Sequence, residues 1–147
     1  MAGTRYELRK RYWSFALDYV HEADDDGLFS KVNPSKDNWI SAFFGVGGFS
    51  INCVANYDSA RVEIYLGKSK QEDNKAAFDA LITHKNEIEA ALEVALVWNR
   101  GDSIKSSKVS YQLDNVSIEQ ETDWLQMAKF HAEWSKKFYD VIVPYLV

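Results

Sequence analysis

Residues 39–66 constrain the fold more than any other stretch, because their pattern predicts three consecutive β-strands joined by two tight turns. In the second and third segments apolar and polar residues alternate, which is typical of strands with one buried face. The alternating apolar residues are Phe49, Ile51, Cys53 and Ala55, then Val62, Ile64 and Leu66. Residues 45–48 and 57–60 have the composition of turns. The first segment, residues 39–44, is apolar on both faces, so its pattern leaves open which face is buried.

Two helix starts are marked by the spacing of a capping box. Thr4 stands three residues before Glu7, and Ser69 stands three residues before Glu72. In such a box the hydroxyl and the carboxylate each satisfy a free backbone N–H of the first helical turn. We therefore expect one helix to begin near residue 5 and another to begin at the second box.

The predicted order of elements is α-βββ-α(α)-ββ-α, which defines an α+β fold. The sheet is expected to be mainly antiparallel with about five strands, packed against three helices, or four if the second helix is broken at residues 83–84. The expected helices are residues 5–21, the second box to residue 93, and residues 122–143, and the further strands are residues 95–98 and 108–113. No repeat or linker divides the chain, so one domain over residues 1–147 is expected.

Composition narrows the classes of partner. The net charge of −5 argues against broad attraction to nucleic acid or anionic lipid, although a local basic stripe is compatible with it. No apolar run approaches the roughly 18 residues of a membrane span, and no apolar leader follows Met1. We therefore expect a cytoplasmic protein with no membrane segment.

Few groups suit catalysis. The histidines His21, His84 and His131 stand in no triad or zinc motif. His131 falls on the apolar face of the last helix, where we expect a hydrogen-bonded core residue. Cys53, the single cysteine, is expected to be a small buried hydrophobe. No metal site and no cofactor are predicted, and the chain is not expected to be an enzyme.

A small metal-dependent enzyme remains the third hypothesis. Asp58 and Glu63 flank and enter a strand, as two metal-binding carboxylates of a nuclease do. Tyr65 stands where such a nuclease would carry its catalytic lysine, which weakens this interpretation.

The third strand suggests a binding surface. If its apolar residues face the core, then Arg61, Glu63 and Tyr65 share the opposite face with Ser50 and Asn52, joined by Trp39 and Ser41. Aromatic rings beside an arginine suit stacking on bases or recognition of a peptide or small ligand. The alternative is that a helix covers part of this face and that Arg61 and Glu63 simply pair across it.

Several short motifs in a fixed order resemble the bacterial domain-of-unknown-function family 4268, and the resemblance spans residues 6–146. They are the segments at 34–40, 60–65, 74–81, 84–85, 88–89, 97–100 and 123–124. The family has no assigned activity. Its members often form the C-terminal part of bacterial proteins with a nuclease-like N-terminal part, which implies a role accessory to nucleic-acid processing or defence. That part is not expected in this chain, so nuclease activity is not expected to carry over.

The resemblance also implies a shared surface. The polar and aromatic residues that match the family pattern are Lys36, Asp37, Arg61, Glu63, Asn74, Lys75, Trp98 and Arg100. Trp39 and Tyr65 join them as candidates from the sheet face. The alternative for the whole set is a structural role.

The leading hypothesis is a non-catalytic binding module that engages nucleic acid, or a nuclease-like protein partner, through the face around Trp39, Arg61 and Tyr65. The second hypothesis is a protein interaction or dimerisation domain, including a homodimer. It is favoured by the negative net charge and by abundant aromatic residues.

Overall fold

Five antiparallel strands form one sheet in the order β1-β2-β3-β5-β4 in the computed structural model, which describes residues 4–147. The strands are β1 (Trp39–Phe43), β2 (Phe49–Ala55), β3 (Ser59–Leu66), β4 (Val97–Asn99) and β5 (Ser107–Asp114). The predicted α+β class and the antiparallel sheet are therefore confirmed. The first three residues of the N-terminal segment, in which we expect no leader, lie outside the described residues.

Four helices complete the described chain. They are α1 (Arg5–Ala23), α2 (Gln71–Ile82), α3 (Lys85–Leu92) and α4 (Trp124–Val141), with short 3-10 turns at Glu121–Asp123 and Val143–Tyr145. The break expected at residues 83–84 separates α2 from α3, so the order is α-βββ-α-α-ββ-α. No helix of residues 4–147 is long and apolar enough to cross a membrane.

One face of the sheet forms the core with the helices. Val62 of the central strand β3 lies opposite Cys53 of β2 and Tyr111 of β5. Helix α4 packs over β2 and β3, α1 packs along α4, and α2 contacts β3 and β5. Val62 and Ile64 are fully buried in this layer. Burying each such side chain stabilises the folded chain by about 1.5–3 kcal/mol.

The structure agrees with the predicted start of the first helix but not with the predicted starts of the second helix and the fourth strand. The Thr4 hydroxyl accepts the Glu7 N–H at 3.3 Å, as the first box predicts. The second box is wrong, because α2 begins at Gln71 with Lys70 at its N-cap and has no side-chain cap. The fourth strand does not begin at residue 95, because the Leu96 N–H donates to the Glu89 carboxylate at 2.7 Å instead of entering the sheet.

Cys53 and His131, which we expect to be core residues, are both fully buried. Burial raises the pKa of the Cys53 thiol, which therefore stays protonated. His131 of α4 has its Nε2 2.9 Å from the Val54 carbonyl oxygen and its Nδ1 2.7 Å from the Tyr12 hydroxyl. Because a carbonyl can only accept, Nε2 carries the proton and Nδ1 accepts from the hydroxyl. The neutral imidazole thus ties α4 to both β2 and α1.

This buried histidine makes stability depend on pH. Burial lowers the pKa of His131 to about 4, from an ordinary value of 6.5. Between these values the unfolded chain binds a proton that the folded chain does not, so stability falls as pH falls through this window. Each unit of pKa shift corresponds to about 1.4 kcal/mol. We therefore expect the free energy of unfolding to fall by about 3 kcal/mol, through His131 alone, as the pH is lowered across the whole window.

The measurement is urea unfolding near neutral pH and near pH 4.5, compared with His131→Gln, whose amide can still donate to Val54. Carboxylates contribute equally to both proteins, so the difference between their pH profiles isolates the imidazole. Identical profiles would contradict the assignment.

Candidate binding face of the sheet

The sheet face opposite the helices carries a groove of about 450 Å³. Each of its lining residues lies in a strand or directly next to a strand end, and none belongs to a helix. The volume is in the range of small-molecule sites, roughly 300–1,000 Å³. We call this surface the open face; it is lined by Asn38, Trp39, Ser41, Phe43, Gly48, Ser50, Asn52, Val54, Arg61, Glu63, Tyr65, Gly67 and Lys108.

Strand register brings the sheet-face candidates together. Asn52 lies opposite Glu63, and Ser50 lies opposite Tyr65, as the alternation in β2 and β3 predicts. In β1, which the pattern left open, Ile40 and Ala42 are buried in the core. Trp39, Ser41 and Phe43 therefore lie on the open face.

Aromatic side chains form the outer wall of the groove on β1. Trp39 is 46% exposed and Phe43 is 67% exposed, although both are large and apolar. Large rings left in contact with water beside a groove are typical of interaction sites. The open face therefore has apolar surface available for a ligand.

A chain of hydrogen bonds forms the polar floor of the groove. The Ser50 hydroxyl donates to Asn52 Oδ1 at 2.8 Å, and Asn52 Nδ2 donates to Glu63 Oε2 at 3.1 Å. Arg61 Nε donates to Glu63 Oε1 at 2.9 Å. The Glu63 side chain is only 4% exposed, whereas that of Arg61 is 27% exposed. Hydrogen bonds to both carboxylate oxygens offset the cost of burying Glu63.

The ion pair also sets the orientation of Arg61. Its guanidinium is held through Nε alone, and among residues 4–147 its two terminal nitrogens have no hydrogen-bond partner. A planar guanidinium with free donors matches the acceptors of carboxylates, phosphates and base edges. Pairing with Glu63 therefore leaves Arg61 able to bind a ligand.

Tyr65 is positioned by its neighbours on the same face. A Cβ at Gly67 would lie 2.2 Å from the ring carbon Cε2, so only a glycine allows the ring to lie over this backbone. Lys108 lies opposite Tyr65 on β5, with Nζ 5.9 Å from the ring centroid. Sequence reasoning missed Gly67, Lys108 and Phe43, although the glycine two residues after a strand tyrosine was a usable signal.

Two other candidates lie in a buried network away from the groove. Asn74 is fully buried; its side chain accepts from the Lys68 N–H at 2.8 Å and donates to the carbonyls of Lys68 and Lys105. Lys75 Nζ donates to the carbonyls of Arg100 and Ser106 and to the Ser107 hydroxyl, at 2.6, 2.8 and 3.0 Å. These contacts join α2 to the loop between β4 and β5.

Trp98 and Arg100 belong to the same region. Trp98 Nε1 donates to the Glu89 carboxylate at 3.1 Å, and its ring lies 6.2 Å from that of Phe78. Arg100 pairs with Asp79 at 2.8 Å and with Asp102 at 2.6 Å. Hydrogen bonding from Arg100 lowers the pKa of Asp79. The structure thus separates this group from Trp39, Arg61, Glu63 and Tyr65.

Lys36 and Asp37 lie where α1 meets the start of β1. The Trp13 indole donates to the Asp37 carbonyl at 3.0 Å. Lys36 Nζ lies 6.0 Å from the Tyr6 ring centroid, and the guanidinium carbons of Arg5 and Arg9 lie 5.0 and 6.0 Å from it. We call Arg5, Arg9 and Lys36 the basic cluster; it precedes Trp39 in the chain by three residues at its nearest member.

The carboxylates considered for a metal site are engaged elsewhere. Asp58 accepts from the Ser59 hydroxyl at 3.0 Å, and both oxygens of Glu63 accept hydrogen bonds. Within residues 4–147, no group of three or more His, Cys, Asp or Glu side chains is placed to hold a metal ion.

Fold and face together define an α+β protein whose antiparallel sheet is packed by helices on one side and presents a grooved, aromatic and polar surface on the other. The chain belongs to the family described as Domain of unknown function (DUF4268), whose model matches residues 8–146. The resemblance stated from the sequence motifs is therefore confirmed. No curated protein and no solved structure matches the chain.

The contact between Tyr65 and Gly67 generates a stability prediction. A methyl group at Gly67 overlaps the tyrosine ring, so Gly67→Ala should destabilise the protein by about 1–3 kcal/mol, the usual cost of overpacking. In the Tyr65→Ala background the same change should cost much less, because the ring is absent.

Urea unfolding of the wild type, the single variants and the double variant gives the coupling energy. Gly47→Ala is the matched control, since a Cβ there meets nothing within 4 Å and it should leave stability nearly unchanged. Equal costs of Gly67→Ala in both backgrounds would refute the packing assignment.

Proposed function

We propose that the chain is a non-catalytic binding module that takes single-stranded nucleic acid on the open face. The observation that carries the proposal is Arg61, held by Glu63 with its terminal nitrogens free, on a face that also presents Trp39 and Tyr65. The family resemblance implies that related domains are often joined to nuclease-like domains. This supports a role accessory to nucleic-acid processing or defence, in the cytoplasm of a bacterium.

The aromatic residues favour single strands over duplexes. Unpaired bases expose their flat faces, and stacking of a base on an aromatic side chain contributes about 1–3 kcal/mol. Trp39 and Phe43 are on β1, whereas Tyr65 is on β3, so the rings line both sides of the groove floor. A base lying in the groove would meet a ring and the free edge of the Arg61 guanidinium.

Local positive charge offsets the negative total. Lys108 and Arg61 line the groove, and Lys36 of the basic cluster precedes Trp39 by three residues in the chain, with Arg5 and Arg9 placed around the same Tyr6 ring as Lys36. Charges near a phosphate backbone attract or repel it more strongly than distant ones, because salt screens the interaction between charges more than about 10 Å apart. The net charge of −5 is therefore compatible with a strand that follows this path.

The test is fluorescence anisotropy of labelled single-stranded DNA, duplex DNA and RNA, titrated at low and moderate salt. We expect single strands to bind in a salt-dependent way. Trp39→Ala should weaken binding about fivefold or more, corresponding to about 1 kcal/mol of lost stacking. Arg61→Ala should weaken binding more than Trp39→Ala does, and it should reduce the salt dependence because a positive charge is lost from the groove.

Lys129→Ala is the matched control, because it removes a positive charge from the exposed surface of α4 and should leave binding almost unchanged. Arg61→Ala is made together with Glu63→Gln, so that no buried carboxylate is left unpaired. Absence of binding at low salt would reject the nucleic-acid proposal.

Protein association is the second candidate function. It is favoured by Phe43, which is the most exposed aromatic side chain of the described residues and lies on an edge strand.

A further inference from the structure

Strand β1 has a free row of backbone hydrogen-bonding groups. Among the described residues 4–147, it lies at the end of the sheet and pairs with β2 on one side only. The Ala55 N–H donates to the Asn38 carbonyl at 2.8 Å. Bonded and non-bonded pairs alternate along an antiparallel ladder, so Ile40 and Ala42 also bond to β2. The N–H and C=O groups of Trp39, Ser41 and Phe43 therefore point toward the open edge.

The other side of β2 gives the same alternation. The Asn56 N–H donates to the Ser59 carbonyl, and the Gly67 N–H donates to the Gly48 carbonyl, both at 2.8 Å. Even-numbered residues of β2 thus bond to β3, which leaves its odd-numbered residues for β1. The outward direction of residues 39, 41 and 43 follows from both ladders.

The edge lacks the features that usually prevent strands from pairing. The sequence of β1 is Trp-Ile-Ser-Ala-Phe, without a charge or a proline. Proteins commonly protect exposed edges with lysine, proline or a bulge. Here the two outermost residues are instead large, exposed aromatic side chains.

We propose that β1 pairs antiparallel with β1 of a second copy, about a two-fold axis at Ser41. Outward-pointing residues must pair with outward-pointing residues, which restricts the register. Only when Ser41 lies opposite Ser41 do Trp39, Ser41 and Phe43 all face residues of the second copy's β1. Each of these pairs then exchanges two hydrogen bonds. Trp39 then lies opposite Phe43 of the second copy, an aromatic cross-strand pair, and the same contact recurs across the axis.

Charge does not oppose a second copy as the occupant. Each copy carries a net charge of −5, yet β1 carries none, so this pairing places no like charges opposite each other. The two five-stranded sheets would become one continuous sheet with their open faces side by side. The interface centres on a five-residue strand, so it belongs to the small, transient class. This inference does not depend on the proposed function.

The test is analytical ultracentrifugation of the full chain from low micromolar to near millimolar concentration. The wild type should show a mass that rises toward that of a dimer. Ser41→Lys and Ser41→Glu should each stay monomeric, because each places like charges together at the axis. An equimolar mixture of the two variants should associate again, as a heterodimer.

Gln112→Lys and Gln112→Glu are the matched controls, since Gln112 is exposed on β5, away from the edge, and both should associate like the wild type. A wild type that is monomeric at every concentration would overturn the proposal, and so would a mixture no more associated than its components. If a charged variant unfolds, Ser41→Pro replaces it, because it removes only an N–H that faces the edge. Unchanged association of that variant would equally overturn the proposal.

Discussion

The register between β2 and β3 is the constraint on which both faces of the sheet depend. Side chains alternate across a strand, so a slip of one residue would turn Arg61 and Glu63 toward α4 and expose Val62 and Ile64. The observed pairing of Cys53 with Val62 and of Asn52 with Glu63 keeps the apolar residues together and the polar ones together. Core packing and the open face are two results of a single pairing.

Buried polar groups attach the helices to this sheet. His131 donates to Val54, and Lys75 donates to two carbonyls and a hydroxyl beside β5. Each group is hydrogen-bonded, as burial requires, and each joins elements far apart in the chain. These residues fix where the helices lie, whereas the polar residues of the groove bond mainly to one another. Within residues 4–147, the terminal nitrogens of Arg61 keep their donors free.

Trp39 and Phe43 belong to both the groove and the edge of the sheet. Their rings line the open face, while their backbone groups point to the free side of β1. Pairing of two copies through β1 would bring two grooves together without covering the floor at Glu63. A ligand that spans both grooves would then bind to the pair more tightly than to one copy, since the second contact becomes intramolecular.

Local patterns in the sequence determined the strands of residues 39–66, the break between α2 and α3, the core positions of Cys53 and His131, and the shared face of Arg61, Glu63 and Tyr65. Period-two alternation and helical spacing are encoded between near neighbours, so they need no knowledge of the fold. The start of α2, the short β4, and the roles of Asn74, Lys75 and Phe43 were decided by the tertiary structure. Their partners lie on other elements, such as Lys105 for Asn74 and Glu89 for Leu96. Which face of an apolar strand is buried, and which donors remain free, depends on contacts that exist only after the chain has folded.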